Sequence, residues 1–369
     1  MVTHLDRRTL LRGTAAAGVM AMAAPKAFAQ EELTVGALYV GPKGDYGWNQ
    51  AHAEGVAVLR NIAGVTVLEE ERVPETVDVR NSMESMVNFD GAKLIFATSF
   101  GYWEHMLAVA ADNPEVHFLH AAPTVWKDGM PVNAGSYNGY IDEAQYISGI
   151  IAGHAAKSGK LGFVAAKPYP AAIRNINAFT LGARSVNPNA TTQVIFTGDW
   201  VLPVKEAESV NSLADQGIEV VTCHVDSPKV VIETAERRSI YSCGYHMNQS
   251  ALAPKGYLTG AEWSWDKVYT DYVNWLRDGK SWEHNLRGGI KEGLVRNSPY
   301  GAAVSDAART QADAITAKFK DSSFRVFTGP MKTNDGQTPI PEGTSYASDD
   351  VWLDSMGWLV EGVIGSTNG

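Results

Sequence analysis

The feature that most limits the fold is an alternation. From Leu33 onward, apolar runs of four to eight residues rich in Val, Ile and Phe alternate with longer segments of helical period. The runs LTVGALYV (33–40), VTVLE (65–69), KLIFAT (93–98), VHFLHA (116–121), KLGFVAA (160–166), TQVIFT (192–197), IEVVTCH (218–224) and SIYSCGY (239–245) are predicted strands. Several are continuously apolar, as in strands buried on both faces. Segments such as NQAHAEGVAVLRNIA, VDVRNSMESMVNF, DEAQYISGIIAGHAA and PKVVIETAERRS lie between strands and are predicted helices. Repeated β-α-β units imply an α/β fold with parallel sheets and right-handed crossovers. The pattern runs twice, with the turn at Ser158-Gly159-Lys160 as the predicted crossing. Two lobes are therefore expected, over 30–157 and 158–250. Residues 251–369 are expected to supply crossing segments and C-terminal elements shared between them. In that stretch IKEGLVR (290–296) reads as a strand and MKTNDGQTPIPEG (331–343) as a hairpin.

The N-terminus reads as an address. LDRRTLLR (5–12) carries a twin arginine, GTAAAGVMAMAAP follows, and Ala27-Phe28-Ala29 forms a small-residue cleavage signal before Gln30. A twin-arginine signal peptide over 1–29 is expected, cut near Ala29, with the mature protein soluble in the periplasm. Its apolar run, under ~15 residues, is too short to span a bilayer, and no later run reaches ~18. The formal net charge is −10, and the address holds four cations against Asp6, so the remainder is more acidic still. Nucleic-acid polymers and acidic membranes are poor partners for such a surface. Two cysteines, Cys223 and Cys243, exclude a disulfide-dense scaffold and a multi-Cys zinc site. They end neighbouring predicted strands, where sulfur geometry is poor for a bridge, so two buried thiols are expected.

No H-E-x-x-H, C-x-x-C, G-x-S-x-G or strand-to-helix G-x-G-x-x-G occurs. GHAAKSGKL (153–161) has five residues between its glycines, Leu after its Lys and a helix before it, so it is not a phosphate loop. No nucleophile with a base, no metal site and no cofactor site is expected. The positive signal sits at the predicted strand ends, where such sheets bind ligands. These carry Asp45, Trp48 and Asn49; Phe100 and Tyr102; Trp200; His224 and Asp226; His246; and Trp263. Aromatic faces stack on planar heterocycles, and Asn or Asp reads their donor and acceptor edges. Each residue also has a packing alternative. Trp48 and Trp200 suit a lobe's core, Asp45, Asn49 and Asp226 suit helix caps, His224 and His246 suit packed strand ends, and Arg174 suits a helix face.

At these residues the chain resembles the basic membrane protein (BMP) family of ABC-transporter substrate-binding proteins. GDYGWN (44–49) resembles the family's G-D-x-x-[FW]-N step, and GYIDEAQYISGIIAG (139–153) its glycine-rich helix. PAAIRNINAFTLGARSVNP (170–188) and HVDSP (224–228) are similar to a purine-binding subgroup. The resemblance implies two Rossmann-like lobes of type I periplasmic-binding-protein architecture, closing on a ligand in the cleft. It implies Trp48 as the stacking ring and Asn49 beside it, with Arg174, Asn177 and Phe179 facing the cleft from a second-lobe helix. Trp200 and Asp226 match subgroup positions. One departure stands out. Where nucleoside-binding members carry a G-V-D step for the ribose, this chain reads Gly244-Tyr245-His246. The implied ligand is a free purine base, adenine-like, rather than a nucleoside, delivered by a monomer to a membrane permease. A nucleoside, another small polar or aromatic solute such as a sugar, and a periplasmic hydrolase are the rival readings.

Overall fold

The computed structural model describes residues 32–367. The expectations for residues 1–29 lie outside the described residues. In chain order the first half holds β1 (Leu33–Leu38), α1 (Trp48–Ala57), β2 (Val65–Glu70), α2 (Val77–Asn88), β3 (Leu94–Ala97), α3 (Trp103–Asp112), β4 (His117–Ala121) and β5 (Ala134–Gly139). There follow α4 (Ile141–Ala155), β6 (Lys160–Ala165), α5 (Pro170–Val186), β7 (Thr191–Phe196), α6 (Pro203–Asp215), β8 (Val220–His224), α7 (Lys229–Arg237), β9 (Tyr241–His246) and β10 (Tyr257–Trp263). The remainder gives α8 (Trp265–Arg277), β11 (Asn285–Gly288), β12 (Val295–Asn297), α9 (Asp306–Lys320), β13 (Phe327–Thr328), β14 (Ser345–Tyr346) and β15 (Val363–Ile364).

Two sheets result. The first has the order β11-β5-β4-β3-β1-β2, and the second β12-β10-β9-β8-β6-β7-β15. All neighbours in both are parallel except β12, which runs antiparallel to β10. Central strands such as LIFA of β3 and VVTCH of β8 are buried throughout, whereas VTVLEE of β2 at an edge is half-exposed. That gradient is the physical content of the continuous apolar runs, because helices cover both faces of a parallel sheet.

The eight predicted strands form. β5, β10 and β11 were not foreseen, and of residues 290–296 only the end becomes strand, as β12. β5 reads AGSYNG, and its glycines conceal it. A Cβ on Gly135 would lie 2.6 Å from the Trp282 ring and 2.8 Å from the His284 carbonyl oxygen, so β11 approaches only because that side chain is missing. The late hairpin is present. Met331 pairs with Ile340 inside it, and β13 pairs antiparallel with β14 outside it.

The chain passes between the sheets three times. β5 belongs to the first sheet and α4 packs on α5 and β10, so the first passage falls at Tyr140 rather than at 158–160. The second lies at Ser264, since α8 returns to pack on α1, and the third links β11 to β12. Gly149 and Gly182 let α4 and α5 touch backbone to backbone; a Cβ at either would sit 2.0 Å from a carbonyl oxygen of the facing helix. Beyond α9 the chain runs back across α5 and ends as β15 on the β7 edge.

Cys223 and Cys243 are free and buried. β8 and β9 pair Val220 with Tyr241 and Val221 with Ser242, so continuing that register sets Cys243 opposite Thr222. The two thiols therefore point to opposite faces of the sheet, and Cys243 Sγ lies 3.8 Å from the Ser148 carbonyl of α4. Among the described residues no helix is long and apolar enough to cross a membrane.

Candidate functional site

In each sheet the strand order reverses beside its second-laid strand pair: β1 lies between β2 and β3, and β6 between β7 and β8. The carboxyl ends of these strands carry the loops that face one another between the lobes. The loop after β1 is locally built. Asp45 Oδ1 accepts from the Gly47 and Gln50 amides, and Oδ2 from the Asn49 amide and side chain, at 2.8–3.1 Å. Asn49 Oδ1 accepts in turn from the Gly41 amide at 3.0 Å. These bonds cap α1 and fix the angle at which Trp48 leaves the helix. Trp48 is half-buried, and its indole N–H donates to the Thr98 carbonyl at the end of β3 at 2.6 Å.

The rings of both lobes then form one ladder. Trp48 meets His52, His246, Trp263 and Trp265 edge-on, with centroids 4.4, 5.5, 6.0 and 6.0 Å away. Trp265 stacks on His52 at 4.8 Å and on Trp263 at 4.9 Å. His246 lies 3.9 Å from Tyr245, Tyr245 4.6 Å from His224, and His224 6.2 Å from Trp200. Tyr169 closes the end, 5.1 Å from Trp200.

Hydrogen bonds set the protonation of the imidazoles. His246 Nδ1 accepts from the Trp263 indole N–H at 2.8 Å, so its proton sits on Nε2 and is donated to the Val225 carbonyl at 3.1 Å. Its backbone is left-handed at φ +76°, a strain these two bonds hold in place. His224 Nδ1 takes a hydrogen from the Asn175 amide at 2.8 Å, and its Nε2 meets the Tyr169 hydroxyl at 2.9 Å. His52 Nδ1 bonds the Tyr269 hydroxyl, which bonds that of Tyr137 at 2.9 Å. Burial lowers all three histidines, His224 to about 3 and His52 and His246 well below the usual imidazole range. Burial and the negative charges of Asp45 and Glu75 push Asp226 up to about 8. The ladder is thus aromatic, polar and uncharged. It suits non-covalent capture of a flat neutral molecule.

The lobes are clasped across this line. The Trp48 amide donates to the Asp226 carbonyl at 2.9 Å, Ser227 Oγ to the Asp45 carbonyl at 2.8 Å, and Gln249 Nε2 to the Tyr46 carbonyl at 2.8 Å.

Of the residues expected from sequence, Asp45, Trp48, Asn49, Trp200, His224, Asp226, His246 and Trp263 come together here. Phe100 stands on the rim of the first lobe, 69% exposed. Tyr102 lies elsewhere. It is fully buried between α2 and α3, and its hydroxyl donates to the Val73 carbonyl. Arg174, Asn177 and Phe179 do not face the cleft. Arg174 pairs with Asp142 at 3.0 Å and donates to the Ser348 carbonyl at 2.6 Å. Asn177 donates to the Trp358 carbonyl and accepts from the Val360 amide, at 2.9 and 2.8 Å. Phe179 packs on Phe163 in the second-lobe core. The C-terminal segment claims this face of α5, and Asn175, one step round the helix, is the residue that reaches the ladder. His52, Tyr169, Asn175, Tyr245 and Trp265 were missed. His52 lies one helical turn from Trp48, and Tyr169 ends the loop between β6 and α5, so both carried a positional signal. A separate cavity of about 470 Å³, beside the third passage and lined in part by Arg296, Tyr300, Asp313 and Lys320, contains none of these rings.

Two parallel-sheet lobes joined by three passages, with rings at the facing strand ends, define a substrate-binding protein of the type I periplasmic architecture. A solute-binding protein of an ABC transporter system from Conexibacter woesei superposes with a TM-score of 0.69 at 19% identity, over 79% of this chain and 98% of that one. The chain belongs to the Bmp family, described as ABC transporter substrate-binding protein PnrA-like, which matches residues 32–321. A purine-binding protein of Brucella abortus is 36% identical over 341 residues, covering 91% of this chain and 94% of its own. A putative ABC transporter glucose-binding protein of Haloferax volcanii is 30% identical over 336 residues, covering 91% and 81%.

Proposed function

We propose that the protein captures a free purine base, adenine-like, between its lobes in the periplasm and delivers it to the permease of an ABC importer. The observation that carries this reading is the uncharged ring ladder that spans both lobes. Flat aromatic plates favour a planar heterocycle at about 1–3 kcal/mol per stacked ring. The purine-binding relative from Brucella abortus supports the same ligand class. A base is favoured over a nucleoside by His246. Both of its nitrogens are consumed within the protein, so it has no acceptor left for ribose hydroxyls. Export by the twin-arginine route and action as a monomer belong to the same proposal.

The glucose-binding relative makes a sugar the second reading. Sugar hydroxyls call for paired acceptors, and Asp45 already spends both oxygens on α1. The test is a thermal-shift panel on mature protein freed of co-purified ligand by unfolding and refolding. Adenine, guanine, hypoxanthine, uracil, adenosine, inosine, ribose and glucose are each added. A ligand at 100 times its Kd adds about 2.7 kcal/mol. A shift with adenine that exceeds the shift with adenosine is expected. A larger response to adenosine, or to glucose alone, overturns the base reading.

A further inference from the structure

Two ring nitrogens of the ladder are buried without a partner. Among the described residues nothing bonds His52 Nε2 or Trp265 Nε1, and both atoms are shut off from solvent. The two rings belong together. His52 stands on α1, and Trp265 opens α8 just past the second passage. A Cβ on Gly55 would lie 2.7 Å from the Trp265 Cβ, so the bare glycine lets α8 close on α1. His52 and Trp265 then stack at 4.8 Å with their planes 8° apart. Both meet Trp48, standing at 78° and 83° to its plane.

The hydrogens on these nitrogens can be placed. An indole N–H only donates. For His52 the hydroxyls behind it decide. Its Nδ1 bonds the Tyr269 hydroxyl, and that hydroxyl bonds the one of Tyr137. Among the described residues the Tyr137 hydroxyl has no other partner. If it accepted from Tyr269, its own hydrogen would be buried with nothing to receive it, which is costly. Tyr137 therefore donates to Tyr269, and Tyr269 donates to His52 Nδ1. Burial keeps both phenols protonated and the imidazole neutral, so His52 carries a single hydrogen, and it sits on Nε2. Two stacked rings beside Trp48 thus each hold an N–H donor for which the protein supplies no acceptor.

We propose that His52 Nε2–H and Trp265 Nε1–H donate to ring nitrogens of the planar ligand held against Trp48, and so set which heterocycle the cleft accepts. The inference rests on the purine reading for the identity of that ligand. Stacking tolerates any flat ring, because every base has a π-face. Two donors at fixed places discriminate among such rings by where the acceptor lone pairs fall. Adenine has unprotonated nitrogens at its ring edges, each with a lone pair in the plane. Its exocyclic amine is a donor and is turned away from both N–H groups. Tyr269 and Tyr137 are positioning residues. They act through His52, by keeping its hydrogen on the nitrogen that faces no protein partner.

Calorimetry with adenine and its 1-deaza, 3-deaza and 7-deaza analogues tests this, since each analogue replaces one ring nitrogen by C–H. In the parent at least one analogue is expected to bind roughly tenfold more weakly than adenine. In His52→Phe or Trp265→Phe that penalty is expected to shrink to within about twofold, because the donor behind it is gone. A penalty undiminished in both variants overturns the assignment. So does a parent that binds all four alike, the result expected if buried water serves the two nitrogens. Nitrogen-15 NMR of the parent decides the matter even if neither variant folds. His52 is expected as the Nε2–H tautomer without ligand, and its Hε2 and the Trp265 Hε1 are expected to move downfield when adenine saturates the protein. An Nδ1–H tautomer, or protons indifferent to bound adenine, overturns the assignment and leaves the purine reading standing. Tyr269→Phe is expected to lose the single Nε2–H tautomer, a signature that a packing role alone would not produce. If adenine fails to bind but another solute of the thermal-shift panel succeeds, the adenine reading falls. The same two protons then judge the donors with that solute: movement upholds them and stillness removes them. A panel without any binder overturns both readings.

Discussion

The two sides of the cleft are held by different means. On the first lobe the polar requirements are met within a few residues: Asp45 serves Gly47, Asn49 and Gln50, and Asn49 serves Gly41. On the second lobe three polar groups in the first half of α5 find partners far along the chain. Arg174 reaches Ser348, Asn175 reaches His224 and Tyr245, and Asn177 reaches Trp358 and Val360. A local loop keeps its shape whatever the rest of the domain does. A long-range network exists only when the whole lobe has folded, so damage to it is felt as lost stability as well as lost binding.

Substitutions separate the two sides. The largest effect is expected for Arg174→Ala, which leaves Asp142 buried beside no cation. A loss of about 3–5 kcal/mol in denaturant unfolding is predicted. A loss below 1 kcal/mol would mean that the second-lobe network is dispensable. Asn175→Ala strips a donor from His224 and Tyr245, and is expected to cost about 1–3 kcal/mol of stability and to weaken adenine binding as well. Trp48→Ala is its first-lobe counterpart. Adenine affinity is expected to fall by about 1–3 kcal/mol in calorimetry, with a smaller change in stability than Asn175→Ala produces.

The pH profile of stability reports on the second lobe alone, through Asp226 and Glu143. Glu143 on α4 is raised to about 7, chiefly by burial, while it accepts from Ser348 and the Ile290 amide. Asp226 is raised to about 8. Both stay protonated in the fold at pH values where the unfolded chain has already released the proton. Stability is therefore lost as pH rises from about 6.5, by up to about 1.4 kcal/mol per unit for each group, until each folded value is passed. The lowered histidines do not alter this window, since above their ordinary value both states are neutral. Urea midpoints at pH 6.5, 7.5 and 8.5 check the sign, and a rise across this range would contradict it. The smallest effect is expected for Asp45→Ala, a lost cap costing about 0.5–2 kcal/mol, seen as a lower thermal midpoint.

The same division explains what the sequence disclosed. The eight apolar runs became strands because a buried parallel strand needs nothing but its own side chains. GDYGWN was legible because a cap and the helix it caps are contiguous, so Asp45, Trp48 and Asn49 could be placed together. The strand ends bearing His224, Asp226, His246 and Trp263 were legible from the topology of a doubly wound sheet. α5 was misread by one step of its helix. Nothing in PAAIRNINAF says whether Arg174 and Asn177 or Asn175 faces the rings, because the C-terminal segment that decides it lies at 345–364. β5 and β11 were hidden for a related reason: their pairing rests on Gly135 making room for His284, a contact between residues distant in the chain.

β15 gives the second lobe a particular order of construction. Val363 and Ile364 cover β7 by pairing with Thr192 and Gln193, which lie 171 positions earlier in the chain. At ~5–20 residues per second the ribosome makes β7 on the order of ten seconds or more before its cover. Throughout that interval the nascent lobe presents an open strand edge to every neighbouring chain on the polysome. Thr191, Thr192 and Gln193 make that edge polar rather than greasy, which suits a strand that has to wait.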